Sequence, residues 1–396
     1  MPPRSVKVKL NPDLLVWARE SAGYSPARLA EELGVTIDDV VRWESGGDSP
    51  TFSQLERLAG KVKRPLAALF LPYPPTEPPP PRDFRLMAGK ITGRFEPETL
   101  LAFRRARNLQ DLTVELADVL GSPIALQLPR ISLRDDPEEQ AARIRSLIGI
   151  DVDEQLHWKS PAMALRAWRD TLFDFGVLVF QFPIPKDDAR GFCIIGDKVA
   201  TIGLSTDDRE PARIFSLFHD LCHICLGAPG VSGGSLSTPV LPDTPKARIE
   251  RFCDRFAGAY LLPLDAQVVR TALRDAADQL PTNPQPTLDA ARRFKVSKYV
   301  VLRRMLTAGL IQASLHWSIF NEWEDADRLI PAKAGGRGGP HPADATVAER
   351  GRRLASLILE AFDRGVITTH DAGQYLALSP KWFDRVRERA FAGGGP

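Results

Sequence analysis

The chain has 396 residues, of which 43% are hydrophobic and 26% charged, a composition suited to a soluble globular protein of two to three domains. Fifty-two Lys and Arg stand against fifty Asp and Glu, a formal charge of +2, which excludes a surface coated in positive charge for non-specific nucleic-acid binding. No apolar run reaches the roughly 18 residues of a membrane span, the charged start shows no apolar signal-peptide core, and four cysteines make no disulfide framework. The expectation is a cytoplasmic protein with reduced thiols and no membrane partner.

Residues 11–71 read as five short helices. Asp13–Ala22 carries Leu14, Leu15, Trp17 and Ala18 near helical spacing, and Gly23 stops it. Ser25 caps a second helix with Pro26 at its first position, running to Leu33, and Gly34 breaks it. Thr36 caps a third helix to about Glu44. Pro50 and Thr51 open a fourth, to Ala59, and Pro65 opens a fifth, to Leu71. The helix, glycine turn and helix over Arg28–Gly46 have helix-turn-helix spacing, with Thr36–Glu44 in the recognition place. Thr36, Arg42 and Ser45 are the candidate DNA contacts there. Residues 1–70 hold ten Lys and Arg against nine Asp and Glu, and Asp38 and Asp39 open the recognition helix, where they would repel a phosphate. A protein-interaction role for this module therefore stands beside DNA binding.

Seven of the ten residues Pro72–Pro81 are proline, a semi-rigid spacer. Helices are expected over Pro97–Leu109, Leu112–Leu120, Asp136–Ile148 and Pro161–Phe175. Strands follow at Gly176–Phe182, Gly191–Ile195 and Val199–Leu204, then helices at Pro211–Leu226 and Thr244–Leu262 and more over 264–312. Lys333–Ala345, with four glycines, reads as a flexible linker, and Thr346–Gly365 and Ser379–Phe391 as two late amphipathic helices. The domain scheme is 1–71 helix-turn-helix, 72–83 linker, 84–312 catalytic-type domain, 313–345 connector, and 346–396 a helical segment with no assignable role.

The strongest local signal is His219-Asp220-Leu221-Cys222-His223. Two His at i and i+4 share one helix face and can reach one metal. The apolar run Ile214–Phe218 places that helix in a core. Glu250 and Asp254, also i and i+4, follow about a helix later. Two His and one carboxylate form a catalytic zinc set with a position open for water, so His219, His223 and Glu250 are the candidate zinc ligands. Asp254 suits a supporting role, accepting the other N–H of a ligating His. Asp220 is the candidate general base in the place of the Glu of H-E-x-x-H, one methylene shorter. The alternatives are two His that hydrogen-bond independently and an ordinary solvated acidic face. Cys222 and Cys225 form a C-x-x-C, but Cys225 points well away from the His pair. Cys222 and Cys253 read as small packing residues where two helices meet. Tyr260 and His316 are candidates for an oxyanion group, with a structural role equally open.

These residues together resemble a known pairing. Arg19, Gly23, Arg28–Val35, Trp43-Glu44-Ser45-Gly46 and Pro50-Thr51 resemble the XRE-type helix-turn-helix family. Arg213–Leu217, His219-x-x-x-His223 and Glu250-x-x-Cys253-Asp254-Arg255-Phe256-Ala257, ending in Leu261-Leu262-Pro263, resemble the ImmA/IrrE metallopeptidase domain. Asp83-Phe84-Arg85 after the proline run resembles proteins carrying both modules. The resemblance implies a mainly α (α+β) protein: a five-helix N-terminal domain, then a gluzincin-like helical domain with a small β-sheet. It implies zinc on His219, His223 and Glu250, and a transcription-linked regulator that cleaves a specific repressor protein to relieve repression. Asp220 and Asp254 stand where the family usually has Glu and Asn. The alternative is a DNA-binding regulator whose peptidase-like domain does not hydrolyse.

Overall fold

The computed structural model describes residues 6–83, 94–233, 243–329 and 341–391. Phe84, Arg85 and residues 333–340 of the expected Gly-rich linker lie outside them. The chain forms two compact units, residues 1–80 with 91–104 and residues 81–90 with 105–396.

The first unit contains α1 (Pro12–Ser21), α2 (Pro26–Leu33), α3 (Ile37–Glu44), α4 (Phe52–Val62) and a 3-10 turn at Leu66–Phe70. The start signals lie where the sequence places them. Ser25 accepts from the Arg28 N–H, and Thr36 with Asp39, and Thr51 with Gln54, form reciprocal capping boxes. Gly34 ends α2 in the left-handed region, φ 61°, and so turns the chain into α3. The core is Leu15, Ala18, Leu29, Leu33, Val40, Trp43, Leu55, Leu58 and Val62 with their neighbours. Arg19 ties α1 to α3: its Nε and Nη2 donate to the two Glu44 carboxylate oxygens at 2.6 and 3.0 Å. The expected fifth helix is that single 3-10 turn.

The second unit is helical around one mixed sheet. Its helices are α5 (Pro97–Val119), α6 (Pro137–Ile148), α7 (Val152–His157), α8 (Pro161–Asp174), α9 (Glu210–Leu226), α10 (Pro245–Leu261), α11 (Gln267–Gln279), α12 (Gln285–Phe294), α13 (Lys298–Thr307), α14 (Ala313–Arg328), α15 (Pro342–Arg350), α16 (Arg352–Asp363), α17 (Thr369–Leu376) and α18 (Phe383–Phe391). The first residues of α5, through Arg104, are counted with the first unit. The strands β1 (Arg82–Asp83), β2 (Val177–Phe182), β3 (Gly191–Ile195), β4 (Ala200–Ser205) and β5 (Gly230–Ser232) lie in the order β1-β5-β3-β4-β2. β3 runs antiparallel to β4 and β5, whereas β2 is parallel to β4 and β1 to β5.

Helix α9 packs on β3 and β4 and against α10, and α10 packs on α6 and α13. Residues Ile214–Cys225 of α9 are buried all round, as a helix between a sheet and other helices must be. Phe218 of α9 stacks on Tyr260 of α10 with ring centroids 4.0 Å apart, and Trp168 of α8 meets both edge-on. These rings fix the spacing of the two helices that carry the site.

Several helix boundaries differ from expectation: α4 runs on past Ala59 to Val62, and α15 begins at Pro342, inside the expected linker Lys333–Ala345. Pro97–Leu109 and Leu112–Leu120 are one helix, α5, because Gln110 and Asp111 between them contain no breaker. Thr346–Gly365 is instead split into α15 and α16 at Gly351, φ 82°. The buried Arg169 guanidinium packs at this break: it donates to the carbonyls of Val179, Ala348 and Glu349 at 2.8–3.1 Å, and a Cβ at Gly351 would lie 3.1 Å from its Nη2.

Candidate metal centre

The His pair sits on the buried middle of α9, facing α10. His219 Nδ1 donates to Asp254 Oδ1 at 3.0 Å, and His223 Nδ1 donates to the Ala228 carbonyl at 3.1 Å. That carbonyl is available because Gly227 ends α9 in the left-handed region and turns the chain back over its last turn. With each Nδ1 carrying its proton, each Nε2 of the neutral ring presents a lone pair. The two Nε2 atoms are 3.2 Å apart. Glu250 Oε2 lies 3.4 Å from His219 Nε2, and Glu250 Oε1 lies 3.1 Å from His223 Nε2. These separations match the edge of about 3.4 Å of a tetrahedron whose ligands stand roughly 2.1 Å from zinc. Glu250 Oε1 makes no hydrogen bond despite that closeness. Three electron-rich groups thus converge on one point, an arrangement that needs a cation or protons between them.

The field at that point is strongly negative. Burial works against a proton on either ring, but Glu250 and Asp254 overcome it and hold His219 well above its ordinary pKa. Burial is likewise outweighed at His223, by Cys253 and Glu250, which raise it to about 10. Burial would raise Glu250, yet the two rings bring it to about 2. A buried cluster of this charge could hold a divalent cation in place of those protons. All three side chains are 1–2% exposed.

Cys253 is the residue the sequence reading left as packing alone. It does meet Cys222 where α9 and α10 touch, as expected of a packing residue. Its Sγ and one ring nitrogen from each of His219 and His223 also lie within 4.8 Å of one another, so these three side chains could hold a metal. Its thiol is in hydrogen-bond contact with His223. The available signal was spacing: Glu250, Cys253 and Asp254 are i, i+3 and i+4 on α10 and share a face. Cys225 stays outside this group.

Asp220 lies on the β3 side of α9. It is fully buried, and neither carboxylate oxygen has a hydrogen-bond partner of normal geometry. The nearby Ser232 hydroxyl turns to the Gly191 carbonyl at 3.3 Å. A Cβ on Gly191 would fall 2.5 Å from Asp220 Oδ2, so the missing side chain there makes room for the carboxylate. Burial raises Asp220 to about 6, against the pull of the two rings. Tyr260 and His316 make no hydrogen bond to the cluster: the Tyr260 hydroxyl and both His316 ring nitrogens have no partner. Burial and Arg303 hold His316 down to about 4.

In the first unit, Thr36, Arg42 and Ser45 are all exposed on or beside α3. Each is engaged locally. The Thr36 hydroxyl donates to Asp39 Oδ2 at 2.7 Å, Arg42 Nη2 donates to Asp39 Oδ1 at 2.5 Å, and the Ser45 hydroxyl donates to the Arg42 carbonyl at 3.2 Å. Ile37 and Val41, one turn apart, are about half exposed on the same helix.

Fold and site together define a class: a helix-turn-helix unit joined to a helical unit with a buried His and carboxylate cluster that could hold a metal. Comparison with known families agrees. Residues 15–69 match the helix-turn-helix family HTH_3, and residues 173–306 match the family described as the IrrE N-terminal-like domain, Peptidase_M78, a metallopeptidase family. The chain thus carries the two modules its motifs resemble. The first suggests DNA binding and the second a protein substrate. No curated protein and no solved structure matches the chain significantly. No helix among the described residues is long and apolar enough to cross a membrane.

Proposed function

We propose that the chain is a cytoplasmic, transcription-linked regulator whose second unit is a zinc metallopeptidase that cleaves a specific protein, a transcriptional repressor. The observation that carries the reading is the convergence of two Nε2 lone pairs and the Glu250 carboxylate while both Nδ1–H groups are committed elsewhere. His219, His223 and Glu250 would hold the metal. When bound, zinc supplies Lewis acidity, polarising a peptide carbonyl and acidifying water. Asp254 keeps the His219 ring in the tautomer and orientation that ligation requires. Asp220 takes the proton of the attacking water on a carboxylate oxygen and passes it to the leaving amine. Its raised pKa suits a group that must both accept and release a proton near neutral pH. Thr36, Arg42 and Ser45 would meet DNA from α3.

The second reading, a DNA-binding regulator without hydrolysis, is favoured by Asp220 itself. It is one methylene shorter than Glu, and a misplacement of about 1 Å can cost roughly 100-fold.

The purified protein is expected to carry close to one equivalent of zinc, lost in His219→Ala. A metal-free protein with an intact circular-dichroism spectrum overturns the zinc reading. Incubation with the repressor encoded beside it should yield defined fragments, with cleavage kept or raised in Asp220→Glu. Cleavage by neither form decides for the non-hydrolytic regulator. Salt-dependent protection of DNA upstream of its own gene would support the role of α3, and no binding at low salt would end it.

A further inference from the structure

The zinc reading leaves one donor unused. Cys253 Sγ lies in the same cluster as the two ring nitrogens, on the α10 face that also delivers Glu250. We propose that Cys253 is a fourth protein ligand of the metal, so that the resting centre is a closed two-His, Glu, Cys site and not an open catalytic one. The inference rests on the zinc reading above and concerns how that site is regulated.

Donor chemistry favours it. Thiolate sulfur is a preferred zinc ligand, taken at about 2.3 Å, and a thiol that coordinates such an ion gives up its proton. Burial favours it as well. Cys253 is fully buried, as are both His and Glu250 nearly so, and a water in the fourth position would need room and two to four polar partners. Asp254 and the Ala228 carbonyl are turned to His219 and His223, which leaves Asp220, on the β3 side of α9, as the group that would receive a water once the position opens. The sulfur stands in contact with His223.

Zinc with four protein ligands is a structural arrangement, whereas catalysis needs three and an exchangeable position. Cys253 would therefore hold the peptidase in a latent state. Withdrawal of the Cys253 sulfur from the ring nitrogens by rotation about its Cα–Cβ bond would open the fourth position while His219, His223 and Glu250 keep the ion. An activating signal then has only to shift one side chain.

Cobalt substitution tests this without reference to activity. Full-length protein loaded with Co2+ should show sulfur-to-cobalt charge-transfer absorption in the near-ultraviolet. Cys253→Ala should still bind one equivalent of Co2+ but lose that band, and Cys222→Ala should retain it. Cys253→Ser, which preserves volume, repeats the test should the alanine variant fold poorly. X-ray absorption of the zinc form should find one sulfur neighbour in the wild type and none in Cys253→Ser. One equivalent of bound Co2+ with no Cys253-dependent sulfur band overturns this proposal and leaves the zinc reading intact. Absence of metal binding in wild type and variants alike overturns both.

Discussion

Asp254 Oδ1 accepts from His219 Nδ1 across 3.0 Å, joining α10 to α9 at the centre of the second unit. The carboxylate cannot donate when ionised, so the ring proton sits on Nδ1 and Nε2 is left to face His223 and Glu250. Asp254→Ala would release the ring and leave its N–H buried without that partner. Metal affinity should fall by about 10- to 100-fold, the usual effect of losing such a support. Asp254→Asn should lose less, because its amide oxygen still accepts. Competition with a chelator of known affinity measures both, and an unchanged affinity in Asp254→Ala would remove Asp254 from the centre.

Gly191 offers a way to test Asp220 apart from the proposed metal ligands. A Cβ there would stand 2.5 Å from Asp220 Oδ2 and 3.2 Å from the Gly203 carbonyl. The strand is held by its ladder to β4 and β5, so the carboxylate must give way. Gly191→Ala should cost roughly 1–3 kcal/mol of stability, as overpacking does, and should abolish cleavage by displacing the base. It should retain zinc stoichiometry, since the substitution meets none of the three proposed ligands. Full cleavage by Gly191→Ala would exclude Asp220 as the base in this position.

Asp220 also sets a pH dependence in the metal-free protein. Its folded pKa of about 6 lies above the unfolded value of 3.8, so the folded state binds more protons between those values. Stability from this group is complete below the unfolded pKa and is lost as pH rises through about 6. Asp220→Asn removes that loss. In the presence of a chelator, the variant should exceed the wild type by about 1–3 kcal/mol at pH 7.5 and by little at pH 4. Urea unfolding at the two pH values measures the difference. An equal gain at both would show that the effect is not ionisation.

The parts of this molecule legible in its sequence are those written in local spacing. Ser25, Thr36 and Thr51 cap the helices they precede, and Gly34 makes the turn of the helix-turn-helix, because capping and left-handed turns need only neighbouring residues. The i, i+4 pair His219 and His223 shares a face for the same reason, and the long buried run of α9 places that face in a core. What local spacing does not carry is contact between elements. The break at Gly351 packs on Arg169, far away in the chain, and the short strands β1 and β5 exist only through pairing with each other and with β3. Cys253 was readable as lying on the Glu250 face, but its approach to His223 depends on how α9 and α10 are set by Phe218, Tyr260 and Trp168. Asp254 and Glu250 are an ordinary acidic pair until α9 supplies the His residues.

The same local logic gives a test of the first unit. Asp39 serves twice: it closes the capping box with Thr36 and holds Arg42, the cation best placed on α3 to meet a phosphate. The ion pair is exposed, so its own contribution to stability is small. If α3 meets DNA, its effect there is larger, because Arg42 would have to leave Asp39 to bind and the carboxylate would repel the backbone. Asp39→Asn keeps an acceptor for the Thr36 N–H and removes the charge. It should tighten binding to the operator several-fold at low salt and steepen the salt dependence by about one released counterion. Arg42→Ala should act in the opposite sense and lower the slope by about one. Fluorescence anisotropy across a salt series reads both. Should neither substitution change affinity or slope, α3 is not the DNA-facing element, and its half-exposed Ile37 and Val41 mark it instead as a surface for protein.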